Sequence, residues 1–365
     1  MKALTVGGAM IDTIAIVDPS RIERMTMLNA ETSYLLLAQG HKTEALEIST
    51  HCGGGAVNTA VAMARLGHDV APIVKLGRDE RAETIYARLM AEGVSTRHIV
   101  RDERAATGAS VIISSHDRNA AIFTFRGANT LLEEADLKPD AFAVDLVHVA
   151  SLSGGSADRF TRIIAMAKDA GAFVSTNPGL RQLSSRGAEL ARTLPKIDLI
   201  TINKTEAAAL VPGLVVTAGE GGPPLSSNRE DEPPSALARH GLTSGGYHMS
   251  LKAFVRALVG QGVARVLVTD GAAGAYLGDA AAIRFCPALK VPVSGTAGAG
   301  DAFAATLASE LARGVAREEA LRAAALNSAH VVQHIDTQSG LLTRAKLEAA
   351  AKQFAPEPKV RTWPL

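Results

Sequence analysis

The chain is predicted to be an α/β protein, a three-layer α/β/α sandwich on a mostly parallel central sheet with a small β-sheet beside it. Three observations carry this. From residue 71 onward strand-like and helix-like segments alternate, the β-α-β order of a parallel sheet with helices on both faces. Two glycine-rich stretches, 52–58 and 295–303, each lie where an extended segment enters a helix pattern. The 365 residues are 47% hydrophobic but only 4% aromatic, with 33 glycines, which suits alanine-rich helices packed closely on a sheet with many tight turns.

In order, residues 3–6 read as a short buried strand ended by Gly7-Gly8, and 10–17 alternate loosely as a second strand. Asp12 is the one charge in that apolar stretch. It is either a turn or edge carboxylate or an acceptor of hydrogen bonds from substrate hydroxyls. Residues 33–37 and 45–50 read as short strands, as do 108–114 and 120–125 around a turn at 116–119. These four predict a small sheet standing off the main body.

Cys52-Gly53-Gly54-Gly55-Ala56-Val57-Asn58 opens a helix over 56–66 that Gly67 closes. Three glycines in a row are a flexible hinge or a place where a ligand approaches the backbone closely. Asn58 falls on the first turns, within reach of such a ligand. The alternation then runs strand 72–76, helix 80–92, strand 144–150, helix 157–170 and strand 172–176. It continues through strand 199–202, a short helix 204–210, helix 251–259 and strand 263–269. Pro212-Gly213 is expected to break it, and 219–249, poor in large apolar residues, reads as a loop or insertion. Ligands of such sheets gather outside the carboxyl ends of the strands. Asn177, Arg181, Asn203, Glu206, Thr269 and Asp270 should therefore face one crevice.

The run Gly295-Thr296-Ala297-Gly298-Ala299-Gly300-Asp301-Ala302-Phe303 follows an extended, proline-punctuated segment, 283–293, and precedes a helix stopped by Gly314. Small residues there let the free amides of a first helical turn meet an anion. Asp301 on its own is a common N-cap. Beside an anion cradle, a carboxylate suits another task, taking a proton from a hydroxyl that attacks phosphorus. The run is neither a P-loop, for it lacks the Lys-Ser/Thr ending, nor a full G-x-G-x-x-G.

A formal net charge of +1 argues against a nucleic-acid partner. Cys52 and Cys286 provide neither a disulfide framework nor zinc-ligand spacing. No charged n-region with an apolar h-region opens the chain, and no uncharged apolar run approaches ~20 residues. A cytoplasmic protein without membrane contact is expected.

Taken together, these segments resemble the PfkB (ribokinase-like) family of carbohydrate and nucleoside kinases across nearly the whole chain, read as one domain. The resemblance rests on Gly7-Gly8 with Asp12, on Gly53 to Asn58 with the helix after it, on Asn203-Lys204-Thr205-Glu206, on Val268-Thr269-Asp270-Gly271 with Gly274, and on Gly298-Ala299-Gly300-Asp301. It implies a ribokinase-like fold and transfer of phosphate from Mg·ATP to a hydroxyl of a sugar or nucleoside. Asp301 would be the base and Gly298, Ala299 and Gly300 the anion hole. Asp12, Gly54, Gly55 and Asn58 would grip the acceptor. Asn203, Glu206, Thr269, Gly271 and Asn327 would serve the nucleotide, with Glu206 holding Mg²⁺ through water. Residues 12–50 and 108–125 would form a lid, through which family members often pair into dimers. The chain departs from the family pattern at Gly295, where potassium-activated members tend to carry Asp, and at Asp270, where an apolar residue is usual. Ser175-Thr176-Asn177 also lacks an Asp two positions before the Asn, and 219–249 has no obvious counterpart.

Overall fold

Short runs of branched and aliphatic residues, bounded by glycine or polar turns, supply the strands, and alanine-rich stretches supply the helices laid on them. The computed structural model describes residues 1–18, 20, 23–26, 33–36, 40, 42–114, 120–225, 235–354 and 358–365. The first third of the chain forms β1 (Lys2–Val6), β2 (Met10–Val17), β3 (Glu23–Thr26), β4 (Ser33–Leu36), β5 (Ala45–Gly53), α1 (Gly55–Arg65), β6 (Asp69–Leu76), α2 (Glu80–Ala91), β7 (Ile99–Arg101), β8 (Gly108–Ser114) and β9 (Ala120–Phe125). The middle forms β10 (Leu146–Val149), α3 (Phe160–Asp169), β11 (Phe173–Thr176), α4 (Leu180–Ser185), α5 (Gly187–Thr193), β12 (Leu199–Asn203), α6 (Lys204–Ala218), α7 (Ala236–His240), β13 (Leu242–Ser244) and β14 (Tyr247–Met249). The remainder forms α8 (Leu251–Gly260), β15 (Val266–Thr269), β16 (Gly274–Gly278), β17 (Ala282–Pro287), α9 (Ala299–Ala312), α10 (Arg317–Val331), α11 (Arg344–Gln353) and β18 (Arg361–Pro364).

Among the described residues, ten strands make one sheet in the order β18-β17-β16-β15-β12-β11-β10-β1-β6-β7. From β7 to β15 every neighbouring pair is parallel, and β16, β17 and β18 extend the edge antiparallel. Alternate residues feed two cores. Leu4, Val6 and Val147 pack with Ile163 of α3, Val211 of α6 and Phe254 of α8. Ala3 and Leu146 pack on the other face with Val57 of α1, Ile85 of α2, Phe303 of α9 and Leu321 of α10. This is the three-layer α/β/α sandwich expected from the alternation. Parallel pairing leaves the carboxyl ends of β1, β10, β11, β12 and β15 along one edge, with Val6 opposite Val149 and Asn203 opposite Thr269.

A second sheet has the order β5-β2-β8-β9. It hangs from the end of β1, because only three residues separate Val6 from the start of β2 at Met10. The alternation of β2 puts Asp12, Ile14 and Ile16 on one face, opposite Ser110, Ile112 and Ser114 of β8. The 33–37 segment was expected in this sheet; its described part, β4, pairs with β3 in a separate hairpin, and β2 takes its place. The turn at 116–119 lies outside the described residues.

Four expectations are corrected. Helix α6 does not stop at Pro212-Gly213 but runs to Ala218. Val211 and Leu214 on its inner face are buried, and that packing outweighs the missing proline N–H and the entropy of Gly213. The segment 157–170 is helical in the α sense only from Phe160, after a 3-10 turn over Gly154–Arg159. The region 219–249 is more than a loop: α7 and the β13–β14 hairpin bury Leu237, Ala238, Leu242 and Met249 in the main core. Residues 226–234 of it lie outside the described residues. The approach to α9 is extended only as far as Pro287.

Replacing Pro212 with Ala restores an N–H for the carbonyl of Ala208 and removes a poor helix former. We expect Pro212→Ala to raise the unfolding free energy by about 1–3 kcal/mol in urea titrations. A loss of stability would contradict this account of α6.

Candidate active site

Two helices begin in the same crevice at the carboxyl edge of the large sheet. Helix α1 starts at Gly55, after Gly54 at φ 97°. A Cβ on Gly54 would lie 2.5 Å from the carbonyl oxygen of Gly8, and one on Gly55 would lie 2.7 Å from Cβ of Ala150. Only glycine lets this loop press onto the ends of β1 and β10. Helix α9 starts after Gly298, whose φ is 77°, and a Cβ there would lie 2.6 Å from Cβ of Thr337. Gly300 is exposed, with nothing near its would-be Cβ.

Asp301 links the two helix starts. Its Oδ2 accepts a hydrogen bond of 2.8 Å from Nδ2 of Asn58. A Cβ on Gly55 would lie 3.7 Å from its Oδ1. Burial pushes the Asp301 carboxyl up to about 6; the Asn58 bond opposes this and the charge of Asp12 adds to it. Asp12 is buried on β2 and accepts from the Ser110 hydroxyl. Burial raises its pKa too, against the pull of Ser110 and His51. Gly53 exists for Asp12, because a Cβ there would lie 2.0 Å from Asp12 Oδ2.

Of the amides at the entrance of α9, those of Gly300 and Asp301 have no intramolecular acceptor among the described residues, while that of Ala299 leans on the Thr296 carbonyl at 3.4 Å. Unpaired N–H groups at a helix start attract an anion. The crevice therefore offers a proton acceptor beside amide donors.

Asn203 and Glu206 sit at the start of α6 as a reciprocal cap. Glu206 N–H donates to Asn203 Oδ1 and Asn203 N–H donates to Glu206 Oε2, each at 2.9 Å. Burial, and then the charge of Asp301, raise the Glu206 pKa. The charge of Asp301 is thus felt at Glu206, whose Oε2 alone takes part in the cap. Thr269 ends β15 opposite Asn203, and Gly271 follows at φ 54°. Asn177 donates to the Thr201 carbonyl at 2.7 Å, and Arg181 is exposed on α4.

Asn327 is committed inside the protein. Asn327 is fully buried in α10; its Nδ2 donates to Thr306 Oγ1 and its Oδ1 accepts from the Leu342 N–H. Its amide fastens α9 to the segment before α11. Asn58 is also more committed than a free ligand-gripping amide would be. Its Oδ1 accepts from Thr337 Oγ1 at 2.8 Å and from Gln338 Nε2 at 3.2 Å. Thr337 and Gln338 escaped the sequence reading. They lie 279 and 280 residues from Asn58, in no motif, and their only local signal is a polar run, Asp336-Thr337-Gln338-Ser339, between two helices.

The model described as "pfkB family carbohydrate kinase" matches residues 22–216 and 242–344. The chain is 26% identical over 332 residues to the deoxyribokinase of Salmonella typhimurium, covering 89% of this chain and 94% of that protein. It is 26% identical over 293 residues to the ribokinase of Haemophilus influenzae, covering 80% of this chain and 84% of that one. The ribokinase structure from Thermotoga maritima superposes with a TM-score of 0.71 at 21% identity, over 96% of this chain and 99% of the other. That last likeness speaks to the fold.

A hydrogen bond to the charged form lowers a carboxyl pKa, so its loss raises it. In Asn58→Ala the Asp301 carboxyl should titrate above its wild-type midpoint of about 6, read by carboxyl ¹³C NMR with Asp301→Asn for assignment. A midpoint that stays or falls would contradict the pairing.

Proposed function

The chain belongs to the pfkB family of carbohydrate kinases, and on that premise we propose that it moves the γ-phosphoryl group of ATP onto a hydroxyl of a small sugar. The observation that carries this is the Asp301 carboxylate, held by Asn58 beside the unpaired amides of α9. Asp301 takes the hydroxyl proton as the oxygen attacks the γ-phosphorus. The bond to the β-phosphate oxygen breaks, and a phosphate ester and ADP leave. The amides of Gly298, Ala299 and Gly300 meet the charge spread over the transferred oxygens, Gly300 with its N–H unengaged and Ala299 by giving up its long bond to Thr296. Losing one such donor costs about 3–4 kcal/mol.

Asp12, Gly54, Gly55 and the remaining amide hydrogen of Asn58 grip the acceptor. Thr269, Gly271 and Asn203 serve the nucleotide. Glu206 would hold the magnesium ion of Mg·ATP through water, and that ion would neutralise phosphate charge. Among the described residues no three metal-binding side chains converge, so its remaining ligands would be phosphate and water. The β5-β2-β8-β9 sheet acts as a lid that keeps water from the phosphoryl group. Its outer face exposes Ile48, Val111, Phe123 and Phe125, an apolar surface suited to pairing with a second copy.

A nucleoside acceptor is a second reading, favoured by one observation. A cavity of about 620 Å³ continues from the face of Asp12 along Ile14, Ile16, Ile112 and Ile122, against residues 293–297. A sugar with an apolar substituent would fill it better than a bare pentose.

Asp301→Asn should lower turnover by roughly 10²–10⁴ while nucleotide binding is kept, measured by coupled ADP release and calorimetry. Unchanged turnover removes Asp301 from the mechanism. Only the ionised form accepts the proton, so wild-type kcat/KM should fall on the acid side of about pH 6, approaching tenfold per unit. A flat profile down to pH 5 would contradict an Asp301 base.

A further inference from the structure

The match to the family model stops at residue 216 and resumes at 242, leaving out the segment that carries α7. That segment is rooted in the main core by Leu225, Leu237 and Ala238. At its inner end, Ser235 reaches the turn between β15 and β16. Ser235 Oγ lies 2.7 Å from Asp270 Oδ2 and 2.8 Å from the Tyr276 hydroxyl. The carboxylate only accepts, so the single serine proton goes to Asp270 and the Tyr276 hydroxyl donates to Ser235. The same oxygen accepts a longer bond, 3.4 Å, from the Ala238 N–H.

Asp270 opens the turn and Tyr276 stands just beyond it, so one hydroxyl bridges both sides. Tyr276 is fully buried, its ring 4.7 Å from that of Phe285. It is a fixed post, and Ser235 ties Asp270 to it. Between them the turn is tight, since a Cβ on Gly274 would lie 2.2 Å from the Cys286 carbonyl oxygen. The N–H groups of Gly271 and Ala272, both exposed, have no acceptor among the described residues. Successive free amides in a turn suit a phosphate.

We infer that the extra segment is a brace for the nucleotide: Ser235 is a positioning residue that fixes the 269–274 turn, and thereby its free amides, for the phosphates of ATP or ADP. This rests on the kinase reading above, in which Thr269 and Gly271 serve the nucleotide.

The test uses full-length protein. Ser235→Ala should raise the KM for Mg·ATP and the Kd for ADP about three- to tenfold, the worth of one hydrogen bond, with the KM for the acceptor unmoved. Ser235→Thr keeps the hydroxyl and should restore both constants. Asp270→Ala should weaken ADP to a similar degree, and adding Ser235→Ala to it should weaken ADP no further. An unchanged ADP Kd in Ser235→Ala, whether or not its melting temperature falls, overturns the inference, as do effects that multiply in the double variant. Wild-type protein that binds no nucleotide overturns the kinase reading itself, and the brace with it.

Discussion

One hydrogen bond joins the two halves of the site. The Asn58 amide donates to the Asp301 carboxylate across 243 residues of sequence. It brings the start of α1, which carries the glycine loop, to the start of α9, which carries the unpaired amides. The bond also sets chemistry. Burial and the charge of Asp12 push the Asp301 carboxyl up, and the Asn58 bond pulls it back toward the charged form. Thr337 and Gln338 hold Asn58 from behind, so the geometry depends on the loop before α11 as much as on either helix. Gln338 is itself tied to α2, through the 3.0 Å bond that Arg88 donates to it.

The large sheet supplies the rest of the constraint. Its parallel strands end together, and each end delivers one polar group or one glycine to the same edge. The glycines act there by what they leave out. Gly53 makes room for Asp12, Gly54 and Gly55 let the loop lie on β1 and β10, and Gly298 clears Thr337. Those four positions explain a glycine-rich pattern that no cap or hinge requires. Of the two carboxylates, Asp12 stands on the small sheet and Asp301 on α9, and the charge of Asp12 raises the cost of ionising Asp301.

Much of this was legible in the sequence because it is local. The β-α-β alternation, β2, β8 and β9, and both glycine loops follow from periodicity and turn chemistry over a few residues. What failed was decided by tertiary contact. Helix α6 continues through Pro212 because Val211 and Leu214 have a core to pack into. Asn327 was expected near the nucleotide only through the family resemblance, while in the structure Thr306 and the Leu342 N–H take up its amide. Thr337 and Gln338 carry no local signature, since their meaning lies in a partner nearly the whole chain away. The Asn203–Glu206 pair stood out in the sequence only through its likeness to the family's N-x-x-E; that it forms a reciprocal cap at the start of α6 emerges from the structure.

The central claim is that this crevice passes a phosphoryl group to an alcohol. The most direct measurement is ³¹P NMR of the wild-type protein incubated with Mg·ATP and a panel of sugars and nucleosides. The account predicts a phosphomonoester signal that grows one for one with ADP for at least one acceptor. ATP left intact across the panel, or converted only to ADP and inorganic phosphate, would contradict it.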